Sequence, residues 1–295
     1  MSERLLALGV DIGATKLAAA LVDGDGRLLW RSQTPTPRSP DPEVVWTALA
    51  ELVAAAPSGA SLCGVGCAAP LDSVAGTVSP LNIPAWRAFP LASRLAGVTS
   101  VPTWVESDAK ALALGEGVFG AAVGRRGFLS MVVSSGVGGG IVLDGRLLGG
   151  DAGNAGHIGH LIVEPGGREC ACGARGCLEA EASGMSIEAV TARPAAEAGP
   201  ETIERVGTLV GRAVAGVANL LDLTLATVAG SVALGYGDPF FESAQAELDR
   251  SCRLAFSRGT RIVASGLGAD GPLVGAATVG WWHAGLVSLA GGGSS

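Results

Sequence analysis

At 295 residues the chain is long enough for one large domain or two ordinary ones, and 48% hydrophobic against 16% charged residues describes a packed globular protein rather than a disordered one. A net charge of −7 with no basic run leaves no footprint for nucleic acid, and no stretch approaches the ~20 uninterrupted apolar residues of a membrane span. The start, MSERLLALGVDIG, lacks the long apolar region and small-residue cleavage site of a signal peptide, so the expected compartment is the cytoplasm, where clustered cysteines bind metal more readily than they pair.

In chain order, residues 5–29 (LLALGVDIGATKLAAALVDGDGRLL) read as a strand, a Gly/Thr turn, a second strand, an Asp-Gly hairpin turn and a third strand. The first turn carries DIGATK. Asp11 can hold a Mg²⁺-bound water, and Gly13, Ala14 and Thr15 offer donors to phosphate; the same residues also suit a plain hairpin turn with a capping Asp. DPEVVWTALAELVAAA has helical periodicity, with Asp41 near an N-cap position. SLCGVGCAAP reads as a buried strand ending at Pro70. Its GVGCAA imitates a dinucleotide fingerprint, but Pro70 follows at once with no opening helix, and the Gly-Lys-Ser/Thr phosphate loop is absent. VPTWVESDAKALALGEGVFG then gives a strand to Val105, a turn, and a helix from about Ser107. At its start Asp108 reads equally as an N-terminal helix acid or as a general base for a substrate hydroxyl.

Residues 128–150 (FLSMVVSSGVGGGIVLDGRLLGG) repeat the order of the first unit, which suggests a duplicated fold with two related lobes. Their loop SSGVGGG, Ser134 to Gly140, is a second phosphate-sized turn at the matching place. The next segment holds the strongest chemistry. His160, Cys170, Cys172 and Cys177 supply one imidazole and three thiolates, the donor set of four-coordinate zinc, with small residues between them that let the backbone fold around an ion. Four protein ligands leave no open position, so the zinc is expected to be structural. Cys63, Cys67 and Cys252 sit singly in apolar runs as inert thiols. Beyond this segment Val206, Leu209, Val210, Ala213, Val214, Val217, Leu220 and Leu221 keep a helical stripe. Strand LTLATVAG, helix DPFFESAQAELDRSCRLAF, strand RIVAS, a last helix from about Pro272 and a flexible GGGSS tail complete an α/β alternation.

Together, DIGATK, SDAKALALGE, SSGVGGG, HIGH with CACGARGCLE, and VAGSVALG resemble the ROK family of bacterial sugar kinases and repressors nearly end to end. The resemblance implies a duplicated actin-like, hexokinase-like (ribonuclease H-like) two-lobed fold. Residues 1–112 with about 272–295 would form the small lobe, and residues 113–271 the large lobe with its zinc-bound loop. It implies ATP-dependent phosphorylation of a sugar hydroxyl, with Asp108 as the base and Mg²⁺ accompanying ATP. Asp11, Gly13, Ala14, Thr15 and Lys16, with Ser135, Gly136, Val137, Gly138 and Gly139, would hold the phosphates and Mg²⁺, and Gly230 and Ser231 would lie near the adenosine. Asn82, Ser107, Asp108, His157, His160 and Glu179 would line the sugar cleft, with His160 also on zinc. Repressor members carry an added N-terminal helix-turn-helix, for which a strand starting at about residue 5 leaves no room. The family is often dimeric, which implies a homodimer.

His157-Ile-Gly-His160 stands where most hexose-specific members have Glu-x-Gly-His, and this is similar to the N-acetylmannosamine kinases of the family. An imidazole offers one donor or acceptor and less negative charge than a carboxylate, which suits a 2-acetamido group better than a free hydroxyl. N-acetylmannosamine is therefore the expected substrate, with glucose or N-acetylglucosamine, or a non-catalytic sugar sensor, as rivals. His157 also reads as a prop for the zinc loop. The chain departs from the family pattern at Ser107 (usually Asn), Lys110 (Asn or Gln), Ala14 (Gly) and Ser135 (Thr).

Overall fold

The two echoed segments fold alike. In the computed structural model, which describes residues 5–289, each opens a five-stranded sheet; the expected GGGSS tail lies outside the described residues. The first sheet has β1 (Ala7–Ile12), β2 (Lys16–Val22) and β3 (Leu28–Pro35) as an antiparallel meander. Helix α1 (Pro42–Ala54) comes next, and β4 (Leu62–Cys67) joins parallel to β1. A small hairpin, β5 (Leu71–Asp72) and β6 (Thr77–Val78), and helix α2 (Leu91–Thr99) precede β7 (Thr103–Ser107), which adds parallel to β4. Asp41 caps α1 as its position predicts, accepting from the Glu43 N–H at 2.9 Å. No turn separates β7 from the next helix, α3 (Asp108–Val118): Ser107 is the last strand residue and the helix cap at once.

The second sheet repeats the plan with β8 (Phe128–Val133), β9 (Val137–Leu143) and β10 (Arg146–Leu147). The Cys/His segment, α4 (Leu178–Ala182), α5 (Gly184–Thr191) and the long α6 (Pro200–Leu221) lead to β11 (Leu225–Ala229). A short α7 (Ser231–Tyr236), which no sequence signal announces, and α8 (Asp238–Ser251) then lead to β12 (Arg261–Ala264). Strand orders β3-β2-β1-β4-β7 and β10-β9-β8-β11-β12 have one topology, so the echo in sequence is an echo in fold. The stripe on α6 is buried from Val206 through Ala218, but Leu220 at its end is 79% exposed, and α8 stops before the CRLAF that the expected helix includes. A Cβ on Gly207 would fall 2.5 Å from the Phe240 carbonyl, and one on Gly211 would fall 2.2 Å from that of Ala244. These two glycines therefore let α6 and α8 close on each other.

Helices α3 and α9 (Gly271–His283) form the layer between the sheets. Contact there is close because side chains are missing: a Cβ on Gly64 would lie 2.0 Å from the Ala276 carbonyl. That is the use of the GVG that imitates a nucleotide fingerprint. Every residue of α3 from Ala109 to Gly117 is buried, since the helix packs on both sheets. The lobe boundary expected at residue 112 therefore falls inside one unbroken helix. At the far end of α3, Glu116 is fully buried. Its carboxylate accepts from the N–H groups of Ala121 (2.8 Å), Gly266 (3.2 Å) and Leu267 (3.3 Å) and from the Ser265 hydroxyl, which compensates the burial of a charge. Among the described residues no helix is long and apolar enough to cross a membrane.

Candidate active site

Parallel β1, β4 and β7 end in register, Asp11 beside Gly66 and Ile12 beside Cys67, with Cys67 beside Ser107. Their carboxyl ends therefore form one rim, the place where open α/β sheets bind ligands. Asp11 and Asp108 both stand on it. Burial, then the nearby Asp108 charge, pushes Asp11 up to about 7, while Lys16 opposes the rise. Burial likewise lifts Asp108 above the ordinary carboxylate range, against the Ala109 N–H that donates to its Oδ1 at 2.7 Å and the neighbouring His157. The buried Cys67 thiol, pushed well up by burial and then by both carboxylates, lies directly behind them. Two buried carboxyls on one rim, both raised by burial, fit a site completed by a divalent cation such as the Mg²⁺ that accompanies ATP.

The two turns at the heads of the sheets are built alike. In the first, the Gly13 N–H donates to Lys16 O at 3.0 Å and the Thr36 hydroxyl to Gly13 O at 2.8 Å, leaving the N–H groups of Ala14 and Thr15 without a partner among the described residues. In the second, Ser134 N–H donates to Gly136 O, and the Gly184 and Met185 N–H groups cover the Ser134 and Ser135 carbonyls. The N–H groups of Ser135 and Gly136 are left without a partner among the described residues. The structure corrects two of the expected backbone donors: Gly13 is engaged in its own turn, and Val137 donates to Glu179 Oε2 at 3.0 Å. It also corrects the extent of the second loop, because Val137, Gly138 and Gly139 lie in β9. There a Cβ on Gly138 would meet Ala109 Cβ at 3.0 Å, and one on Gly139 would meet the Gly156 carbonyl at 3.0 Å, so these glycines admit α3 on one face and the HIGH segment on the other. Gly230 and Ser231 join the same region. Ser231 Oγ is 3.0 Å from Ser134 Oγ, and Gly230, at φ 102°, has no room for a Cβ beside the Val133 carbonyl.

The metal cluster forms as its spacing predicts. One donor atom from each of His160, Cys170, Cys172 and Cys177 lies within 4.8 Å of the others. Cys170 Sγ is 3.7 Å from His160 Nδ1, and Cys172 Sγ is 3.7 Å from Cys177 Sγ. Tetrahedral zinc with Zn–S bonds of ~2.3 Å sets its sulfurs ~3.8 Å apart, so the donors present fit that ion. Gly173 and Gly176, at φ 90° and 76°, make the tight turns between ligands. The loop holds more than the metal: His160 shares a 3₁₀ turn (Ile158–His160) with His157 just before it, their rings stacked at 5.9 Å, and Cys177 leads straight into α4 with Glu179. Burial, then His160 and Lys110, lowers His157 below the ordinary imidazole value, while the charges of Asp108 and Glu179 oppose the fall.

Of the remaining expected residues, Ser107 spends its hydroxyl on the helix end, accepting from the Lys110 N–H at 3.3 Å. Asn82 lies exposed in a turn, with no side-chain hydrogen bond among the described residues to join it to the cluster. Two residues that sequence reasoning missed support the site. Lys110 is 2% exposed and pairs with Glu106. Glu181, equally buried, accepts from the Arg168 N–H at 2.6 Å and from Arg205 at 2.7 Å, tying the start of the Cys/His loop to α6. Only Lys110 gave a signal in the sequence, as a charge where the family pattern has an amide.

The chain belongs to the ROK family, whose sequence model matches residues 7–283. It is 37% identical over 246 residues to an N-acetylmannosamine kinase of Citrobacter koseri, covering 78% of this chain and 84% of that one. A ROK hexokinase from Thermus thermophilus has a TM-score of 0.81 at 33% identity, covering 95% of this chain and 99% of that one. A ROK family glucokinase from Streptomyces griseus, solved with glucose and AMPPNP, has a TM-score of 0.82 at 30% identity, covering 94% and 99%.

Proposed function

We propose that this chain, an ATP-dependent sugar kinase, phosphorylates the 6-hydroxyl of an N-acetylated hexosamine, with N-acetylmannosamine as the preferred substrate. The observation that carries the reading is the convergence on β9: a Cβ on Gly138 would meet Ala109, next to Asp108, at 3.0 Å, one on Gly139 would meet the carbonyl of Gly156, next to His157, at 3.0 Å, and the Val137 N–H donates to Glu179 Oε2 at 3.0 Å, so one strand gathers all three residues. Asp108 takes the hydroxyl proton as the sugar oxygen bonds to the γ-phosphorus and the bond to the β-phosphate oxygen breaks, releasing ADP. A carboxylate lifted above its ordinary range is a better base for that proton. The unpartnered N–H groups of Ala14, Thr15, Ser135 and Gly136 face phosphate oxygens, Lys16 adds charge, and Val137, Gly138 and Gly139 form the floor beneath them. Gly230 and Ser231 border the nucleoside. Asp11 holds the Mg²⁺ that neutralises phosphate charge, and catalysis comes mainly from positioning. His160, Cys170, Cys172 and Cys177 hold a zinc that supplies rigidity, fixing His157, Glu179 and the free face of His160 toward the sugar; Asn82 and the backbone at Ser107 complete the cleft.

Residues 1–112 with 272–295 and residues 113–271 act as the two lobes that close on the substrates, with α3 shared between them, in a cytoplasmic homodimer. His157 in place of an acid, together with relatives named for N-acetylmannosamine, supports the choice of sugar. The test is ADP release with Mg²⁺-ATP on N-acetylmannosamine, N-acetylglucosamine, glucose and mannose, for the native chain and for His157→Glu. N-acetylmannosamine should lead, and the variant should gain on glucose. A native preference for glucose that His157→Glu leaves unmoved overturns the choice of sugar. Turnover of none of the four moves the reading to a sugar sensor.

A further inference from the structure

Lys110 lies in the first turn of α3 with its side chain inside the protein, 2% exposed, and its ammonium group 3.8 Å from Glu106 Oε1, itself 6% exposed. The same ammonium donates to the carbonyl of Gly153. Gly153 lies in the loop of residues 149–156, which leaves β10 and delivers the chain to His157. Within itself that loop has only short-range bonds: Ala155 N–H to Gly149 O at 2.9 Å, Gly153 N–H to Gly150 O at 3.4 Å, and the Asn154 amide to Ala152 O at 2.8 Å. Among the described residues, apart from the Ile158 N–H that donates to Gly156 O at 2.6 Å where the chain runs on into the 3₁₀ turn, the bond from Lys110 is the one hydrogen bond that fastens residues 149–156 to another part of the molecule. A buried ion pair is a weak source of stability, since burial costs each ion about as much as the pairing returns. Its worth here lies in where it reaches. Glu106 also accepts from the Ser107 N–H at 2.9 Å, so the pair links the strand end carrying Asp108, through Lys110, to the loop carrying His157.

We infer that Lys110 is a positioning residue that sets the loop of residues 149–156, and through it His157, against Asp108, and so governs sugar affinity and the discrimination among sugars. The inference rests on reading Asp108 and His157 as the sugar side of the site. A loop displaced by an ångström can lower a rate by on the order of 100-fold, so a lost anchor is expected to register in the sugar terms.

The experiment compares the zinc-loaded native protein with Lys110→Met and with the double variant Glu106→Gln/Lys110→Met. The single variant leaves Glu106 buried without its counter-charge, so it can lose stability for that reason alone. The double variant removes the stranded charge and recovers the thermal midpoint. Both variants should raise KM for the preferred sugar by about tenfold or more and narrow the KM gap between sugars, while KM for ATP stays within about twofold and zinc content stays at one per chain. Hydrogen exchange of the amides of residues 149–156, measured without any substrate, should quicken in both variants while exchange in β1, β4 and β11 is unchanged. Recovery of the native sugar KM by the double variant would make the pair merely structural and overturn the inference, as would native exchange in the loop. If the native chain turns over no sugar at all, the functional reading fails by itself, and loop exchange still decides whether Lys110 holds the loop.

Discussion

The β1–β2 and β8–β9 hairpins occupy the same place in their sheets, yet the residues on either side of their turns differ. After the first turn come Lys16, Leu17, Ala18 and Ala19, and the last three are buried, Leu17 and Ala19 on the face that carries α1 and Ala18 on the face toward α9. After the second come Val137, Gly138, Gly139 and Gly140, and a Cβ on Gly140 would fall 2.7 Å from Ala113 Cβ and 2.9 Å from the Ala109 carbonyl. Before the turns the contrast reverses. Asp11 sits on the rim of the first hairpin, and uncharged Val132 takes the matching place in the second. Duplication has preserved a backbone that leaves two N–H groups open at each turn. Substitution has then given one copy a charge and stripped the other of side chains so that a helix and a loop can approach.

The contrast can be broken at several points. The largest effect is expected at Asp108, the proposed base: Asp108→Asn should lower kcat by about 10²–10⁴-fold in ADP-release assays, with binding of a non-hydrolysable ATP analogue unchanged. A loss below about tenfold would return Asp108 to the role of a helix-start acid. Next comes the charge that only the first hairpin carries. Folded Asp11 keeps its proton up to about 7, whereas the unfolded chain releases it near 3.8. The folded state therefore binds more protons between those values, so the unliganded protein loses stability as pH rises across that window and levels off above it. Urea unfolding from pH 4.5 to 8 should show the decline in the native chain and a flatter profile in Asp11→Asn. Taking the difference between the two cancels the Cys/His loop's own pH dependence, and parallel profiles would refute the assignment. The smallest effects concern the glycines: Gly140→Ala should cost about 1–3 kcal/mol by overpacking, against about 1 kcal/mol for Ala20→Gly at the register-matched site. Equal costs in urea midpoints would mean that the glycine run serves no close approach.

How much of the molecule the sequence discloses depends on how local each feature is. The Cys/His cluster is legible because all four donors fall within residues 160–177, and the hairpin echo because each unit is one continuous stretch. Capping at Asp41 and the stripe on α6 are likewise set by near neighbours in the chain. The glycines of β9 read as loop because their reason is the approach of α3 and of Gly156, which no local pattern encodes. Ser107 looks in sequence like a weakened sugar contact; its hydroxyl is used on the Lys110 N–H instead. The Lys110–Gly153 and Arg205–Glu181 links join residues far apart in sequence, and burial, which decides their meaning, emerges only when the layers are stacked.

The chain passes between the two sheets twice, once through α3 and once through the segment leading from β12 to α9, and the Glu116 carboxylate grips both passages at one point. Asp108 stands eight residues away along the same helix, a lever of about 12 Å. A turn of about 10° about the Glu116 pivot swings the far end of that lever by about 2 Å, enough to make or release a hydrogen bond at the rim while the pivot itself barely moves.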